Sequence, residues 1–311
     1  MQTLLRTTGL TKAYPDGTVA LRGLDLEVGS GSVGLVGANG AGKTTMFKLM
    51  LGLSRPTAGE IHVCGIPVAD RPAEVRARLG FMPEHDCLPV DQSASDVVST
   101  FGELAGLPPR AARQRASEVL DLVGLDEARF RPVGGFSTGM RQRTKLAQAL
   151  VADPQLVLLD EPTAGLDPLG RDEMLGLVQR LGEFGISVLM ATHLLDDVQQ
   201  VCDQVVMIDG GTLVVSGSTT DLLKGTGSVR ADVGDGGPAL VAALAERGLA
   251  ATVRDDHWVE VASDPARGED PHDVVRDLAA ELGLPLHALI DGRASLDEVF
   301  LDRAGHGSDA G

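Results

Sequence analysis

The sequence predicts an α/β fold with a core of mainly parallel sheet, an antiparallel β part, a helical insertion and a small α+β C-terminal domain. Three observations favour this class. Short apolar runs at 33–36, 156–159 and 187–191 are typical of buried strands, and residues that carry chemistry follow each of them. Residues 93–123 have the pattern of two helices, and the chain after residue 228 alternates strands and helices. Open parallel sheets place ligand sites at the carboxyl ends of their strands, so we expect function there.

The first of these strands leads into a glycine-rich stretch, GLVGANGAGKTT at 34–45. Gly37, Gly42, Lys43 and Thr44 match the phosphate-binding pattern G-x-x-x-x-G-K-[ST]. Triphosphate oxygens need several backbone N–H groups that converge on one point, so the loop must curl tightly, which glycine allows. The predicted nucleotide-binding residues of this stretch are Gly37, Ala38, Asn39, Gly40, Ala41, Gly42, Lys43, Thr44 and Thr45.

Residues 44–51 predict a helix that leaves this loop, so a bound phosphate would lie at the positive N-terminus of the helix. Lys43 would bring a point charge to the terminal phosphates of ATP, and the Thr44 hydroxyl would ligate the accompanying Mg²⁺. A glycine-rich turn without a ligand is the competing interpretation. The matched positions and the flanking strand and helix make it the minor one.

Composition limits the possible functions. With 44 Asp+Glu, 27 Lys+Arg and a net charge of −17, the chain lacks the basic excess that nucleic-acid binding requires, so we expect no nucleic-acid partner. Its apolar runs are far shorter than the ~20 residues that span a bilayer. The first residues lack the apolar core of a secretion signal. We therefore expect a cytoplasmic protein whose three cysteines, Cys64, Cys87 and Cys202, are reduced.

The N-terminal part has the pattern of antiparallel strands. Residues 4–28 form two strand-like stretches around a turn at 15–17, and residues 60–68 predict a hairpin. Tyr14 lies directly before that turn. Its ring either caps the end of a strand or stacks on a nucleotide base, and the sequence leaves these two interpretations equal.

A helical insertion is predicted at about 85–136, and another helix begins after it at Ser137, Thr138 and Gly139. The first turns of that helix carry three basic residues, Arg141, Arg143 and Lys145. Free N–H groups, a hydroxyl and basic side chains at one helix start predict a second anion-binding site. Taken alone, the stretch is better explained as an ordinary serine N-cap on a basic amphipathic helix.

Two carboxylates, Asp160 and Glu161, follow the strand at 156–159. Because side chains alternate across a strand, the two acids are expected to have different roles. Asp160 can hold Mg²⁺ through water, and Glu161 can take a proton from an attacking water. A solvated strand end is the competing interpretation. The strand at 187–191 ends similarly at His193, which would face the terminal phosphate.

The C-terminal part is set off by a candidate linker at 224–228 and is strongly acidic. Residues 225–311 contain 17 Asp+Glu and 7 Lys+Arg, which is −10 of the total charge of −17. Strands and helices are predicted in the order β-α-β-β-α-β, with a turn at 255–256 and a final helix from Ser295. This order is typical of a small ferredoxin-like sheet.

Together these motifs resemble the nucleotide-binding subunit of ATP-binding cassette (ABC) transporters, over roughly residues 2–225. The Walker A loop GANGAGKT, the Walker B strand LVLLDE, the D-loop AGLD at 164–167 and the switch histidine His193 match in order and spacing. The stretch SLDEVFL at 295–301 is similar to the C-terminal part of ATPases from drug- and antibiotic-exporter systems whose membrane subunit is a separate chain.

Two motifs depart from the family pattern. The signature, usually LSGGQ, reads FSTGM at 136–140 and keeps Ser137 and Gly139, whose hydroxyl and backbone would reach the γ-phosphate. The Q-loop glutamine of the family falls at Glu84. A carboxylate can still ligate Mg²⁺, but it adds negative charge beside the triphosphate.

The resemblance implies a P-loop NTPase core at 1–225. The linker and the shift in composition indicate an accessory domain at 226–304 and a flexible tail at 305–311. The resemblance also implies an ATPase that closes as a head-to-tail dimer, in which residues 137–139 of one copy cover the ATP of the other. An integral-membrane transporter subunit would hold the dimer at the inner face of the cell membrane and export a small molecule.

Other functions are less well supported by the sequence. A soluble mechanical or regulatory ABC protein acting on ribosomes or DNA is the alternative, which the single cassette, the short insertion and the acidic charge disfavour. The accessory domain is either a ligand sensor or a dimerisation and packing domain.

Overall fold

The structure is a computed structural model that describes residues 3–223, 228–254, 258–262, 270–291 and Leu296. The described residues divide into two compact units, one formed by residues 3–219 and the other by the described residues from 220 onward. Several predicted features lie outside the described residues, namely the linker at 224–228 apart from Ser228, the turn at 255–256, the final helix from Ser295 apart from Leu296, and the tail at 305–311.

Six strands form the central sheet of the first unit: β3 Ser32–Val36, β6 Leu79–Met82, β7 Leu156–Asp160, β8 Ser187–Thr192, β9 Gln204–Asp209 and β10 Thr212–Ser218. Their order is β10-β9-β3-β8-β7-β6, and all neighbours pair in parallel except β9 and β10. The predicted mainly parallel sheet is confirmed. β7 and β8 are buried along their whole length, which explains why both are almost continuously apolar in sequence.

The second sheet of this unit is antiparallel and consists of β1 Thr3–Ala13, β2 Val19–Gly29, β4 Ala58–Val63 and β5 Ile66–Pro67. Their order is β2-β1-β4-β5. The tight turn between β1 and β2 closes where the N–H of Tyr14 donates to the carbonyl oxygen of Thr18 at 2.8 Å. This sheet confirms the predicted antiparallel part and places Tyr14 at a strand end.

Seven helices accompany these strands within the described residues: α1 Lys43–Met50, α2 Pro72–Arg76, α3 Ala94–Leu104, α4 Pro109–Leu122, α5 Thr138–Leu150, α6 Pro168–Glu183 and α7 Leu195–Val201. A short helix, α8 Thr219–Leu223, begins at the last residue of the first unit and continues into the second. Short 3₁₀ helices at Asp126–Phe130 and Val133–Gly135 separate α4 from α5. α3 and α4 confirm the predicted helical insertion. α6 and α7 are absent from the predicted elements, although Asp167 as N-cap and Pro168 as first residue are ordinary signals of a helix start.

The second unit contains β11 Val229–Asp232, α9 Gly237–Glu246, β12 Ala251–Val253, β13 Trp258–Val261, α10 Pro271–Glu281 and β14 Ala288–Asp291. Its sheet has the order β12-β13-β11-β14, with antiparallel pairing throughout. Its core includes Leu240 and Leu244 from α9, Val275 from α10, and Val259 and Val261 from β13. The element order and the pairing are those of a ferredoxin-like sheet.

Among the described helices, none is long and apolar enough to cross a membrane.

Candidate nucleotide site

The glycine-rich loop joins β3 to α1, and its path leaves no room for a side chain at two positions. A Cβ built on Gly37 would lie 2.4 Å from the carbonyl oxygen of Ile208. Gly42 has a φ of 111°, and a Cβ there would lie 2.6 Å from the carbonyl oxygen of Ala20. Both glycines are therefore required by the conformation of the loop. No side chain caps the first turn of α1, so its free N–H groups remain available to an anion.

Lys43 lies between this loop and the carboxylates at the end of β7. Its Nζ donates to the carbonyl oxygen of Gly37 at 2.6 Å and lies 3.8 Å from Oε1 of Glu161. Burial lowers the pKa of Lys43, whereas the negative charges of Glu161, Asp160 and Glu84 act to raise it. The ammonium is thus held where the terminal phosphates of a nucleotide on this loop would lie.

Glu161 adopts a left-handed backbone conformation with a φ of 48°. For a residue other than glycine this conformation costs about 1–3 kcal/mol and persists only where the surroundings enforce it. The Glu161 N–H donates to the carbonyl oxygen of Ala191 on β8 at 2.9 Å. Its Oε1 lies 3.0 Å from Nδ1 of His193, and its Oε2 accepts a hydrogen bond from Oγ1 of Thr192 at 3.2 Å. The end of β8 therefore fixes the Glu161 carboxylate.

Asp160, the last residue of β7, is only 5% exposed. Its pKa is raised to about 6, first because burial disfavours the charged carboxylate and then because Glu84 and Glu161 add negative charge. A cation placed here would relieve this repulsion.

The side chains of this region also bear on whether Mg²⁺ fits here. No group of three His, Cys, Asp or Glu side chains among the described residues is arranged to hold a metal by itself. Mg²⁺ usually takes one or two carboxylates and completes its shell with water and phosphate oxygens. Thr44, Glu84 and Asp160 line the same cleft and offer a hydroxyl and two carboxylates, so the residues present fit the ion.

Tyr14 borders the same region from the end of β1. Its hydroxyl lies 3.2 Å from Oγ1 of Thr45, and Nζ of Lys12 lies 5.2 Å from the centre of its ring. Since Thr45 belongs to the first turn of α1, this contact ties the ring to the phosphate loop. The ring therefore borders the cleft that the phosphate loop lines, and base stacking stays a prediction.

These side chains line one open cleft of about 350 Å³, the nucleotide cleft. The predicted residues that line it are Tyr14, Ala38, Asn39, Gly40, Gly42, Lys43, Thr44, Thr45, Glu84, Asp160, Glu161 and His193. Gly37 and Ala41 are buried beneath the loop instead. Thr18, Ala20 and Ala164 also line the cleft, although no sequence motif singled them out as binding residues.

The predicted residues Ser137, Thr138 and Gly139 line a different cleft of about 460 Å³, the signature cleft, which the D-loop residues 165–167 also line. Oγ of Ser137 accepts a hydrogen bond from the N–H of Met140 at 3.3 Å and so caps α5. Among the described residues, none lines both clefts. A single chain therefore does not bring residues 137–139 to its own phosphate loop.

Of the three basic residues of α5, Arg141 and Arg143 lie near its start, whereas Lys145 does not. Arg141 donates to a backbone carbonyl, Arg143 pairs with Glu173, and Lys145 donates to the carbonyl oxygens of residues 83 and 84. Successive residues of a helix point about 100° apart, so residues spaced by two face different directions. The expectation is therefore corrected for Lys145 alone, and an anion site formed by the helix start with Arg141 and Arg143 stays a prediction.

A buried polar cluster behind the nucleotide cleft carries no recognisable motif. The carboxylate of Asp197 is fully buried, accepts a hydrogen bond from Oγ1 of Thr163 at 2.6 Å and pairs with Arg171. Thr163 lies two residues after Glu161, and Asp197 lies four residues after His193. One feature of the sequence indicates that Asp197 is buried. It precedes the buried Val201 by four residues, and residues spaced by four lie on the same face of a helix such as α7.

Comparison with known proteins decides the family. Residues 21–164 match the profile of the ABC transporter family. The daunorubicin/doxorubicin resistance ATP-binding protein DrrA of Streptomyces peucetius is 37% identical over 318 residues, which cover 98% of this chain and 93% of that protein. The chain belongs to the ABC transporter ATP-binding proteins.

Two further comparisons place this ABC ATPase in the same family. The Nod factor export ATP-binding protein I of Ralstonia nicotianae is 33% identical over 97% of this chain and 94% of that protein. The structure of cbiO1 from Clostridium perfringens, part of the ABC transporter complex cbiONQ, has a TM-score of 0.65 and 29% identity over 71% of this chain and 91% of that one. The predicted fold class, the family resemblance and the identification as an ATP-binding ATPase are confirmed.

Proposed function

We propose that this ABC ATPase hydrolyses MgATP in a head-to-tail dimer and thereby drives export of a small molecule through a separate integral-membrane subunit. The observation that carries the proposal is the division of the predicted site residues between two clefts that share no lining residue among those described. The nucleotide cleft holds the phosphate loop and Glu161, whereas Ser137 opens on the signature cleft. A second copy, turned head to tail, would supply the missing half of each site.

The residues of the nucleotide cleft are suited to phosphoryl transfer to water. Lys43 and the free N–H groups of α1 would hold the β- and γ-phosphates. Glu161 would orient the attacking water and accept its proton, while His193 would contact the γ-phosphate and fix the Glu161 carboxylate from the other side. Mg²⁺ bound by Thr44 and Asp160, with Glu84 as a further ligand, would neutralise charge that develops on the phosphate oxygens.

The export function rests on the relatives. One of them is named for resistance to daunorubicin and doxorubicin, another for export of Nod factor, and cbiO1 belongs to a transporter complex. By analogy, the dimer would lie at the inner face of the cell membrane, attached through its membrane subunit. The alternative of a soluble ABC protein on ribosomes or DNA receives no support from these relatives, and the net charge of −17 disfavours it.

The ATPase part of the proposal is tested with Glu161→Gln. We expect this variant to bind ATP, to lose turnover by about 100-fold or more and to accumulate as a nucleotide-bound dimer in size-exclusion chromatography. Glu183→Gln, an exposed change at the end of α6, is the matched control and should behave like the unaltered protein. Undiminished hydrolysis in Glu161→Gln would remove Glu161 from its proposed role.

The export part needs a separate test. The tagged protein is purified from membranes of the organism that makes it, and the proteins that co-purify are identified. Recovery of a multi-span membrane protein supports the proposal. Recovery of ribosomes or DNA in its place would favour the alternative.

A further inference from the structure

Lys145 is a lysine that the structure places almost completely inside the first unit. It lies two turns into α5, and only 2% of its surface is exposed. Its Nζ donates to the carbonyl oxygens of Pro83 and Glu84, both at 2.8 Å. Within the described part of the chain, no carboxylate lies within 4.0 Å of this ammonium.

A buried lysine without a close counter-ion is an unfavourable choice for stability. Removing a charge from water is costly unless an ion partner compensates, and two backbone carbonyls compensate only in part. Burial accordingly lowers the pKa of Lys145, against the opposing influence of the Cys87 thiol and the Asp86, Glu84 and Asp160 carboxylates. A methionine would fill nearly the same volume without this cost. A residue that breaks a packing rule in this way is expected to serve function.

The two elements that Lys145 joins belong to different clefts. α5 begins at Ser137, which lines the signature cleft. The carbonyl acceptors follow the carboxyl end of β6, where Glu84 lines the nucleotide cleft. The Lys145 ammonium therefore links two parts of the proposed dimer site. The segment with Glu84 lies beside the chain's own nucleotide cleft, and α5 would face the nucleotide of the second copy.

We infer that Lys145 is a positioning residue that holds the Glu84 segment against α5, so that both half-sites of a chain are aligned together for ATP hydrolysis. The inference rests on the proposed head-to-tail function. Lys145 touches no reacting atom in this assignment. It acts through the backbone of Glu84 and through the orientation of α5.

The test compares Lys145→Met with Lys48→Met, a change at an exposed lysine of α1. We expect Lys145→Met to unfold at the same or a higher temperature, because it removes a buried charge. We expect its kcat for ATP hydrolysis to fall by about 10- to 100-fold while the Kd for a fluorescent ATP analogue changes by less than about 3-fold, since misalignment affects the reaction more than binding. Lys48→Met should change neither kcat nor Kd.

A second variant keeps the inference testable if Lys145→Met does not fold. Lys145→Gln keeps one donor for the carbonyl oxygens, and we expect its kcat to lie between those of Lys145→Met and the unaltered protein. Turnover in Lys145→Met within about 2-fold of the unaltered protein would overturn the inference. If neither variant folds, Lys145 is needed for the stability of the fold, and this result would overturn the inference as well. Absence of ATPase activity in the unaltered protein would instead overturn the proposed function.

Discussion

Oε1 of Glu161 lies 3.0 Å from Nδ1 of His193, although the two residues are 32 positions apart in sequence. Each directly follows one of two neighbouring strands, β7 and β8. β7 and β8 pair in parallel, so their carboxyl ends meet at one edge of the sheet. The carboxylate and the imidazole therefore form one unit, in which each side chain limits the orientation of the other.

Replacing His193 with alanine is expected to slow hydrolysis much more than it weakens binding. The change removes the proposed contact to the γ-phosphate and frees the Glu161 carboxylate, so we expect kcat to fall by about 100-fold or more. The Kd for ATP should stay within about 3-fold, because Lys43 and the phosphate loop remain. Steady-state kinetics and equilibrium nucleotide binding measure the two effects. His62→Ala, on β4 outside the nucleotide cleft, is the control. Equal effects of the two substitutions would contradict the assignment.

The raised pKa of Asp160 predicts how the free energy of unfolding depends on pH. Its pKa is about 6 in the folded chain, compared with 3.8 for an ordinary aspartate. Between these values the folded state binds more protons than the unfolded state, so the free energy of unfolding decreases as pH rises from about 4 to about 6. The loss attributable to Asp160 is about 2–3 kcal/mol and is complete at about pH 7, one unit above the folded-state pKa.

Chemical denaturation of the unaltered protein and Asp160→Asn tests this dependence, in the absence of nucleotide and divalent cations. We expect the asparagine variant to be more stable above pH 6 by about 1–3 kcal/mol and to lose ATPase activity. The difference in free energy of unfolding between the two proteins should shrink as pH is lowered toward 4. A difference that stays constant with pH would show that Asp160 titrates normally.

The hydrogen bond from Thr163 to Asp197 is expected to stabilise the segment that follows Glu161. Thr163→Val leaves a fully buried carboxylate with one fewer donor, which should lower the free energy of unfolding by about 1–3 kcal/mol. Thr163→Ser keeps the hydroxyl and should lose less than half as much. Urea denaturation of both variants gives the comparison, and equal stability of the valine and serine variants would contradict it.

The two interpretations of Tyr14 can be separated by two substitutions. If the ring stacks on the base, Tyr14→Ala should raise the Kd for ATP by about 5- to 100-fold, because stacking on an aromatic ring is worth about 1–3 kcal/mol. Tyr14→Phe loses only the contact to Thr45 and should bind ATP nearly as well. Isothermal titration with ATP measures both. Unchanged affinity in Tyr14→Ala would leave the tyrosine as a residue that ends a strand.

Local patterns in the sequence were sufficient for the strands of the central sheet that carry the site and for most residues of the nucleotide cleft, but not for the helices α6 and α7. The apolar runs before Asp160 and His193 predicted parallel strands, since a strand buried on both faces must be apolar throughout. The G-x-x-x-x-G-K-[ST] pattern located the phosphate loop, because close backbone approach to phosphate restricts which residues fit.

These patterns do not predict contacts between side chains that are far apart in sequence. Lys145 was expected at an anion site because it is basic and near a helix start, yet the tertiary structure directs it to carbonyl oxygens 61 and 62 positions earlier. Asp197 was not considered, because a charged residue in an acidic pair is normally exposed. Such long-range partners depend on how the helices pack, which periodicity alone does not specify.

The separation of the phosphate loop from Ser137 has a consequence for genetics. In the proposed head-to-tail dimer, a chain with Lys43→Ala and a chain with Ser137→Ala would together form one composite site that carries both lesions and one that carries neither. Each mutant alone would leave every site damaged. We therefore expect two inactive alleles, co-expressed in one cell, to restore part of the lost transport, a pattern of intragenic complementation that a chain with self-contained sites does not produce.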